Sequence, residues 1–314
     1  MIEMHPDDEF HPPLDSDPER SETCWFTFTV PEHKLSGQLY PFFRPNQGVM
    51  AAGVYFWNDE GDQPWNCLYA KNFWHLPMPA QPLSNITCPN GIRIQCLEPL
   101  SRYAIGYEDP DGNDEISVQL EFTAIAPPHY LGKGHLDQPG RYQGSIRLRG
   151  QHYQVDSYGF RDRSWGLRAQ FGRGIVPKGP ATGSYTYGTA SARDAFHIIT
   201  ADRGQGYEAY HGYLIRDGVW AKLKRAQREV LERDAATGYP TRVRVIGEDV
   251  QGRSLEAVGR CLNKLGVPLN PNMLSINCLT EWDINGCHGY GEDHENWTPA
   301  AAREFFRPYL GFKG

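Results

Sequence analysis

The chain has 314 residues, of which 22% are charged, 39% hydrophobic and 12% aromatic, with a formal net charge of −7. That length supports one large or two ordinary domains whose cores need no disulfide staple. The acidic balance, without a clustered basic footprint, argues against a nucleic-acid partner, and no window approaches the roughly 18 apolar residues of a membrane-spanning helix.

The N-terminus, Met1-Ile2-Glu3-Met4-His5-Pro6-Asp7-Asp8-Glu9, is acidic where a signal peptide is basic and then apolar, so a cytoplasmic location is expected. Residues 1–21 are rich in Pro, Asp and Glu and read as an extended, flexible arm that can lie across the barrel surface. Alternating apolar and polar positions then predict strands over Cys24–Val30, Leu35–Phe43, Val49–Trp57, Ile92–Leu97, Arg102–Tyr107, Ile116–Ala126, Tyr142–Leu148 and His152–Tyr158. The series resumes at Ser184–Ala190, Ala195–Thr200, Tyr207–Ile215, Thr241–Glu248, Leu255–Arg260, Met273–Trp282 and Cys287–His294. Asp111-Gly112-Asn113, Arg149-Gly150-Gln151, Asp217-Gly218 and Gln251-Gly252 supply hairpin turns. Val219–Asp234 has apolar residues at helical spacing, but the Asp217-Gly218 turn and the strand-rich context favour a hairpin arm. Thr298-Pro299 starts a terminal helix that carries Phe305, Phe306 and Tyr309 on its apolar side. The class is all-β, antiparallel barrel or sandwich, with an N-terminal β domain over 22–150 and a C-terminal β domain with its helix over 151–314. The seven cysteines form no Cys-x-x-Cys and read as reduced, mostly buried thiols.

Two stretches carry the chemistry. In 156–168, Arg161, Arg163 and Trp165 share one face of an extended strand and Phe160, Asp162 and Ser164 the other. An arginine beside a tryptophan can bind an oxygenated substrate and stack a ring; the plain alternative is an ion pair of Arg161 or Arg163 with Asp162 or Asp194. In 288–294, His288, Tyr290, Glu292 and His294 alternate with Gly289, Gly291 and Asp293, so one strand face gathers a carboxyl group, two imidazoles and a phenol. A carboxyl group in apolar surroundings stays protonated and can donate to an alkene or carbonyl, which makes Glu292 the expected acid with His288 and Tyr290 assisting. Tyr185, Tyr187, His197, His211 and Tyr213 form a second tier of pocket-lining residues. Three ligands from one short strand cannot easily surround an ion, so no metal is expected. No phosphate loop, Gly-x-Ser-x-Gly elbow or His-Glu-x-x-His helix occurs, and no cofactor is expected.

The string Gly159-Phe160-Arg161-Asp162-Arg163-Ser164-Trp165-Gly166 follows His135-Leu136-Asp137-Gln138-Pro139 and Trp25-Phe26-Thr27-Phe28-Thr29-Val30-Pro31-Glu32-His33. In that order the motifs resemble the lipocalin-like AttH and carotenoid 1,2-hydratase (hydroxyneurosporene synthase) superfamily, and more closely a bacterial branch of it. Phytoalexin hydratases and Diels–Alderase-type cyclases are similar as well. The resemblance implies two consecutive lipocalin-like antiparallel β domains and cofactor-independent hydration or cyclisation of isoprenoid- or polyketide-like substrates. Joined to the residues above, it sets the expectation of hydration, dehydration or isomerisation at a carbon–carbon double bond of an isoprenoid-, steroid- or polyketide-like molecule in an inter-domain cavity. From the chain's own pattern, Arg161, Asp162, Arg163, Trp165, Tyr187, His211, Tyr213 and His294 are expected to bind the substrate. The chain departs from the family in having Arg163 where His is common, and Thr186-Tyr187-Gly188-Thr189-Ala190 where a Tyr-x-Asp is expected. Arginine cannot shuttle a proton near neutral pH, so an acid must come from elsewhere. The alternatives are a non-catalytic binder of a lipophilic metabolite and a pericyclase-like cyclase; homodimer formation stays open.

Overall fold

A computed structural model describes residues 3–12, 15–112, 116–167, 182–202, 204, 206–270 and 272–309. The chain divides into two compact units, Met1–Phe56 with Leu68–Arg168 and Trp57–Cys67 with Ala169–Gly314. The expected all-β class holds in both.

The first unit contains β1 (Arg20–Val30), β2 (Leu35–Arg44), β3 (Val49–Trp57, whose last residue enters the second unit), β4 (Tyr69–Pro77), β5 (Asn85–Thr87), β6 (Ile92–Glu98), β7 (Arg102–Glu108), β8 (Ile116–Ala124), β9 (His129–Tyr130), β10 (His135–Leu148) and β11 (Gln151–Leu167). They form one open antiparallel sheet in the order β4-β3-β2-β1-β11-β10-β8-β7-β6-β5, with β9 on β10. The arginine-rich segment is thus a central strand of this sheet, held by β1 on one side and β10 on the other. One sheet face buries Phe26, Phe28, Leu39, Phe56, Val118 and Tyr142 in a single apolar core. The N-terminal arm packs Met4 and Phe10 on that core. Asp8, though charged, is buried there and accepts hydrogen bonds from Leu100 N (2.8 Å) and the Tyr103 hydroxyl (2.5 Å).

The second unit contains β12 (Thr182–Ser191), β13 (Asp194–Asp202), β14 (Tyr207–Arg216), β15 (Val219–Arg233), β16 (Pro240–Asp249), β17 (Ser254–Cys261), β18 (Leu265–Asn270), β19 (Met273–Ile284), β20 (Cys287–Trp297) and α1 (Pro299–Phe306). Val219–Arg233 is a strand, as the Asp217-Gly218 turn implied; both turn residues adopt positive φ, 54° and 79°. The strands run β17-β16-β15-β14-β13-β12-β20-β19, and β17 pairs back to β19, closing an eight-stranded barrel with β18 attached outside the ring. Thr298 caps α1 by accepting from Ala301 N, and Ala302 and Phe306 pack on Ile276, Cys278 and Trp297.

The barrel interior is apolar over Phe196, Ile198, Leu214, Val245, Ala257 and Trp282, but its middle holds charge. Arg228 of β15 reaches Asp293 of β20 through two bonds, Nε–Oδ1 at 2.8 Å and Nη2–Oδ2 at 2.6 Å, and Glu295 through a third at 3.2 Å. Arg233 forks onto Glu295 at 2.8 and 2.9 Å, the Tyr207 hydroxyl donates to it at 3.0 Å, and Thr186 donates to Asp293 at 2.8 Å. β15 and β20 are not neighbours in the ring, so these bonds span the lumen. An ion network therefore occupies the middle of this barrel.

Burial pushes the Glu295 pKa up, but the Arg233 hydrogen bonds and the Arg228 and Arg233 charges outweigh it and hold the carboxyl below its ordinary value. A depressed carboxylate pKa stabilises the fold above the unfolded value of about 4.3. That stability should disappear as pH falls through the lower folded value, which an acid titration followed by near-UV circular dichroism measures. Arg228→Leu leaves two buried carboxylates short of a counter-charge and should cost about 3–5 kcal/mol in a urea melt at neutral pH.

Candidate functional site

Because Asp293 and Glu295 point into the barrel, strand alternation turns Glu292 and His294 outward. The Asn285-Gly286 turn, with φ of 50° and 86°, fixes the register of β19 against β20. Across the sheet this places Tyr213, His197, Tyr187, Glu292 and Leu279 in one row of directly opposed residues. The neighbouring row on the same face reads His211, Ile199, Tyr185, His294 and Asn277. Four strands, β12, β13, β14 and β20, thus bring together three tyrosines, three histidines and a glutamate separated by up to 109 positions in sequence (185 to 294).

The group is buried despite its polarity. Tyr187, His197, Tyr213 and Glu292 are 0–1% exposed, and His211 and His294 4–6%. Glu292 Oε2 and His294 Nε2 share a hydrogen bond of 3.0 Å. The Tyr185 ring lies 4.7 Å from His197 and 6.2 Å from His294, while His197 sits 5.8 Å from His211 and 5.7 Å from Tyr213. A cavity of about 350 Å³ adjoins the second row, lined by Gly183, Ile199, Ala201, Tyr210, Met273 and Asn296. Its volume falls at the lower end of small-molecule pockets.

The four alternating residues of β20 share a face but not a place. Glu292 and His294 meet, whereas the His288 side chain is 63% exposed and bonds Glu281 at 3.2 Å. Its ring contacts Tyr290 edge-on at 5.0 Å. Rise along the strand separates His288 from Glu292 by about 13 Å, so the imidazole beside the carboxyl group is His294. Asn277, opposite His294 and bonded by the Ser275 hydroxyl at 2.5 Å, has no counterpart among the sequence candidates. The alternation Ser275-Ile276-Asn277, polar on the face away from buried Ile276, is the signal that pointed to it.

In the first unit, Arg161 and Arg163 lie on the apolar-core face of β11. Arg161 donates to Gln138 at 2.7 Å and covers the Tyr103 ring at 4.2 Å. Arg163 pairs with Glu22, and donates to Glu9 O at 2.9 Å and to Thr23 O at 3.3 Å. The expected ion pair with Asp162 or Asp194 is therefore corrected to Glu22: consecutive strand residues face opposite ways, which turns Asp162 from both arginines. Burial raises the Glu22 pKa, but the His11 hydrogen bond and the Arg163 charge hold it below the usual value. His11 stacks on Trp165 at 4.3 Å. Arg163 and Trp165 thereby hold the N-terminal arm. Among the thiols, burial pushes Cys24 up to about 11 and Cys88 and Cys96 to about 12, so none of these three is an activated nucleophile.

Three solved structures share this architecture. A protein assigned as AttH from Nitrosomonas europaea superposes with a TM-score of 0.58 at 16% identity, covering 89% of this chain and 92% of its own. CghA gives 0.56 at 11% identity, with 90% and 88% covered. Kievitone hydratase from Nectria haematococca gives 0.54 at 10% identity, with 88% of each chain covered. The fold is the AttH-type, lipocalin-like one in two units. Within it, the chain belongs to the family described as domain of unknown function DUF7064, matched over residues 4–299. No curated protein matches the sequence.

Arg163→Ala leaves Glu22 buried without its arginine and should cost about 3–5 kcal/mol. Limited proteolysis should then cut within residues 3–12 while the remainder of the first unit stays protected.

Proposed function

We propose that the protein is a hydratase or dehydratase of a compact hydrophobic molecule of isoprenoid-, steroid- or polyketide-like type, acting at a carbon–carbon double bond. The observation that carries this reading is the buried Glu292–His294 hydrogen bond within two rows of tyrosines and histidines beside an apolar cavity. A hydrogen-bonded carboxyl–imidazole pair can hold one proton and pass it on. In hydration the pair gives that proton to an alkene carbon. The cation formed at the neighbouring carbon faces the rings of Tyr185 and Tyr187, the tyrosines paired with His294 and Glu292, whose negative π faces favour positive charge. Water adds to the cationic carbon and its extra proton returns to the pair, so the catalyst is regenerated and no redox partner is required. Dehydration is the same path reversed. Kievitone hydratase, with the same fold, lends hydration as the reaction type.

Two features of the family pattern bear on this reading. Arg163 stands where the hydratases have a histidine, and it is engaged with Glu22 and backbone carbonyls, so acid–base work falls to Glu292 and His294. The same replacement favours the second reading, a lipophilic-metabolite binder that uses the 350 Å³ cavity without turnover.

Mass spectrometry of the small molecules retained by the purified protein identifies the ligand class, and incubation in H₂¹⁸O tests for turnover. Glu292→Gln should retain the ligand and lower kcat by at least about 100-fold. Full activity in that variant removes Glu292 from the mechanism, and retention without isotope uptake by the wild type selects the binder. Ala201→Phe, which fills the cavity, should abolish uptake of an apolar fluorophore and leave the urea midpoint nearly unchanged.

A further inference from the structure

The pairing that seats Arg163 on one face of the first unit's sheet gathers four polar side chains on the other. His135 and Asp137 alternate along β10, with Ser164 directly opposite His135 and Asp162 directly opposite Asp137 on β11. His135 Nδ1 and Ser164 Oγ share a hydrogen bond of 2.6 Å, and His135 Nε2 lies 2.9 Å from Asp137 Oδ1. One ligand atom from each of His135, Asp137 and Asp162 lies within 4.8 Å of the other two. Asp137 is 0% exposed, and His135 and Asp162 are partly buried.

Two carboxylates directly opposed on one ladder repel each other, and burial raises the cost of each charge. A divalent ion between them relieves both effects. Metal–ligand distances of about 2.0–2.2 Å put adjacent donors about 3 Å apart, the spacing of His135 Nε2 and Asp137 Oδ1 at 2.9 Å, and Asp162 brings the third donor within 4.8 Å of both. Ser164 completes the arrangement. A metal-bound imidazole characteristically bonds a second group through its other nitrogen, and here the bond at Nδ1 leaves Nε2 turned to the carboxylates.

We propose that His135, Asp137 and Asp162 form a binding site for a divalent transition-metal ion, with Ser164 orienting the imidazole. One nitrogen and two carboxylate oxygens suit Zn²⁺ or Mn²⁺. Ligands from two adjacent strands grip the ion from one side and leave its other positions to water or to an oxygen of a bound molecule.

Full-length protein stripped with chelator is titrated calorimetrically with ZnCl₂ and, separately, MnCl₂. The wild type should take up one equivalent of at least one ion. Asp162→Asn and His135→Gln should weaken that binding at least tenfold, and Ser164→Ala by about 10–100-fold. Glu292→Gln should bind as the wild type does, which separates this outcome from the fate of the hydratase reading. Absence of stoichiometric uptake, or undiminished binding by Asp162→Asn and His135→Gln, overturns the proposal and leaves a plain Ser–His–Asp hydrogen-bond chain. If those variants do not fold, the wild type still decides. One equivalent of the ion must protect His135 from diethyl pyrocarbonate, mapped by peptide mass spectrometry, and an unprotected His135 overturns the proposal.

Discussion

The second unit depends on the bridge from Arg228 to Asp293 across the barrel lumen. Both side chains are fully buried, and the bridge continues through Glu295 to Arg233 and Tyr207. Four charged groups inside a barrel are tolerable only when each finds its partners, because an ion removed from water costs several kcal/mol before pairing returns it. Here the forked arginine geometry supplies those partners. The network occupies the volume that a calyx-type ligand would need, and the candidate site residues Glu292 and His294 lie on the opposite face of the same strand.

β20 ties the two faces together. Asp293 and Glu295 point inward, while Glu292 and His294 point outward, so a one-residue slip would bring Glu292 into the lumen opposite Arg228 and turn Asp293 out. Such a slip is disfavoured twice, by the Asn285-Gly286 turn that sets the hairpin register and by the loss of the bidentate arginine contact. We infer that the ion network contributes more to register than to net stability. A set of well-packed apolar residues would stabilise the lumen as well, but it would not distinguish Glu292 from Asp293.

The period-two signal made much of this legible. Strand after strand, the turns at Asp217-Gly218 and Arg149-Gly150, the capped helix at Thr298 and the alternation of His288 through His294 were all written in residue order. What alternation does not state is which face is inside and where along a strand burial begins. His288 and Glu292 are equivalent by pattern, yet one is exposed beside Glu281 and the other is 0% exposed beside His294. The row from Tyr213 to Leu279 was legible only as separate pairs on separate strands, because cross-strand register joins residues dozens of positions apart. The partner of Arg163 was hidden for the same reason: Glu22 lies 141 positions away on β1, whereas the sequence offered the adjacent Asp162, which the pleat turns to the other face.

Arg163 gives its strand position a structural task. Histidine at this strand position can exchange a proton; arginine at the same position cannot, and its longer, forked side chain has room for more partners. It uses them on Glu22 and on the backbone of Thr23 and Glu9, while Trp165 beside it receives the His11 ring. The position thus seats the N-terminal arm, and the strand's polar neighbours Asp162 and Ser164 are left to the opposite face with His135 and Asp137. The two faces of a strand are independent of each other, so an arginine at position 163 says nothing against acid–base or metal chemistry elsewhere on the chain. It narrows where that chemistry can reside to groups that still titrate or ligate, and those are the groups the strand registers bring together.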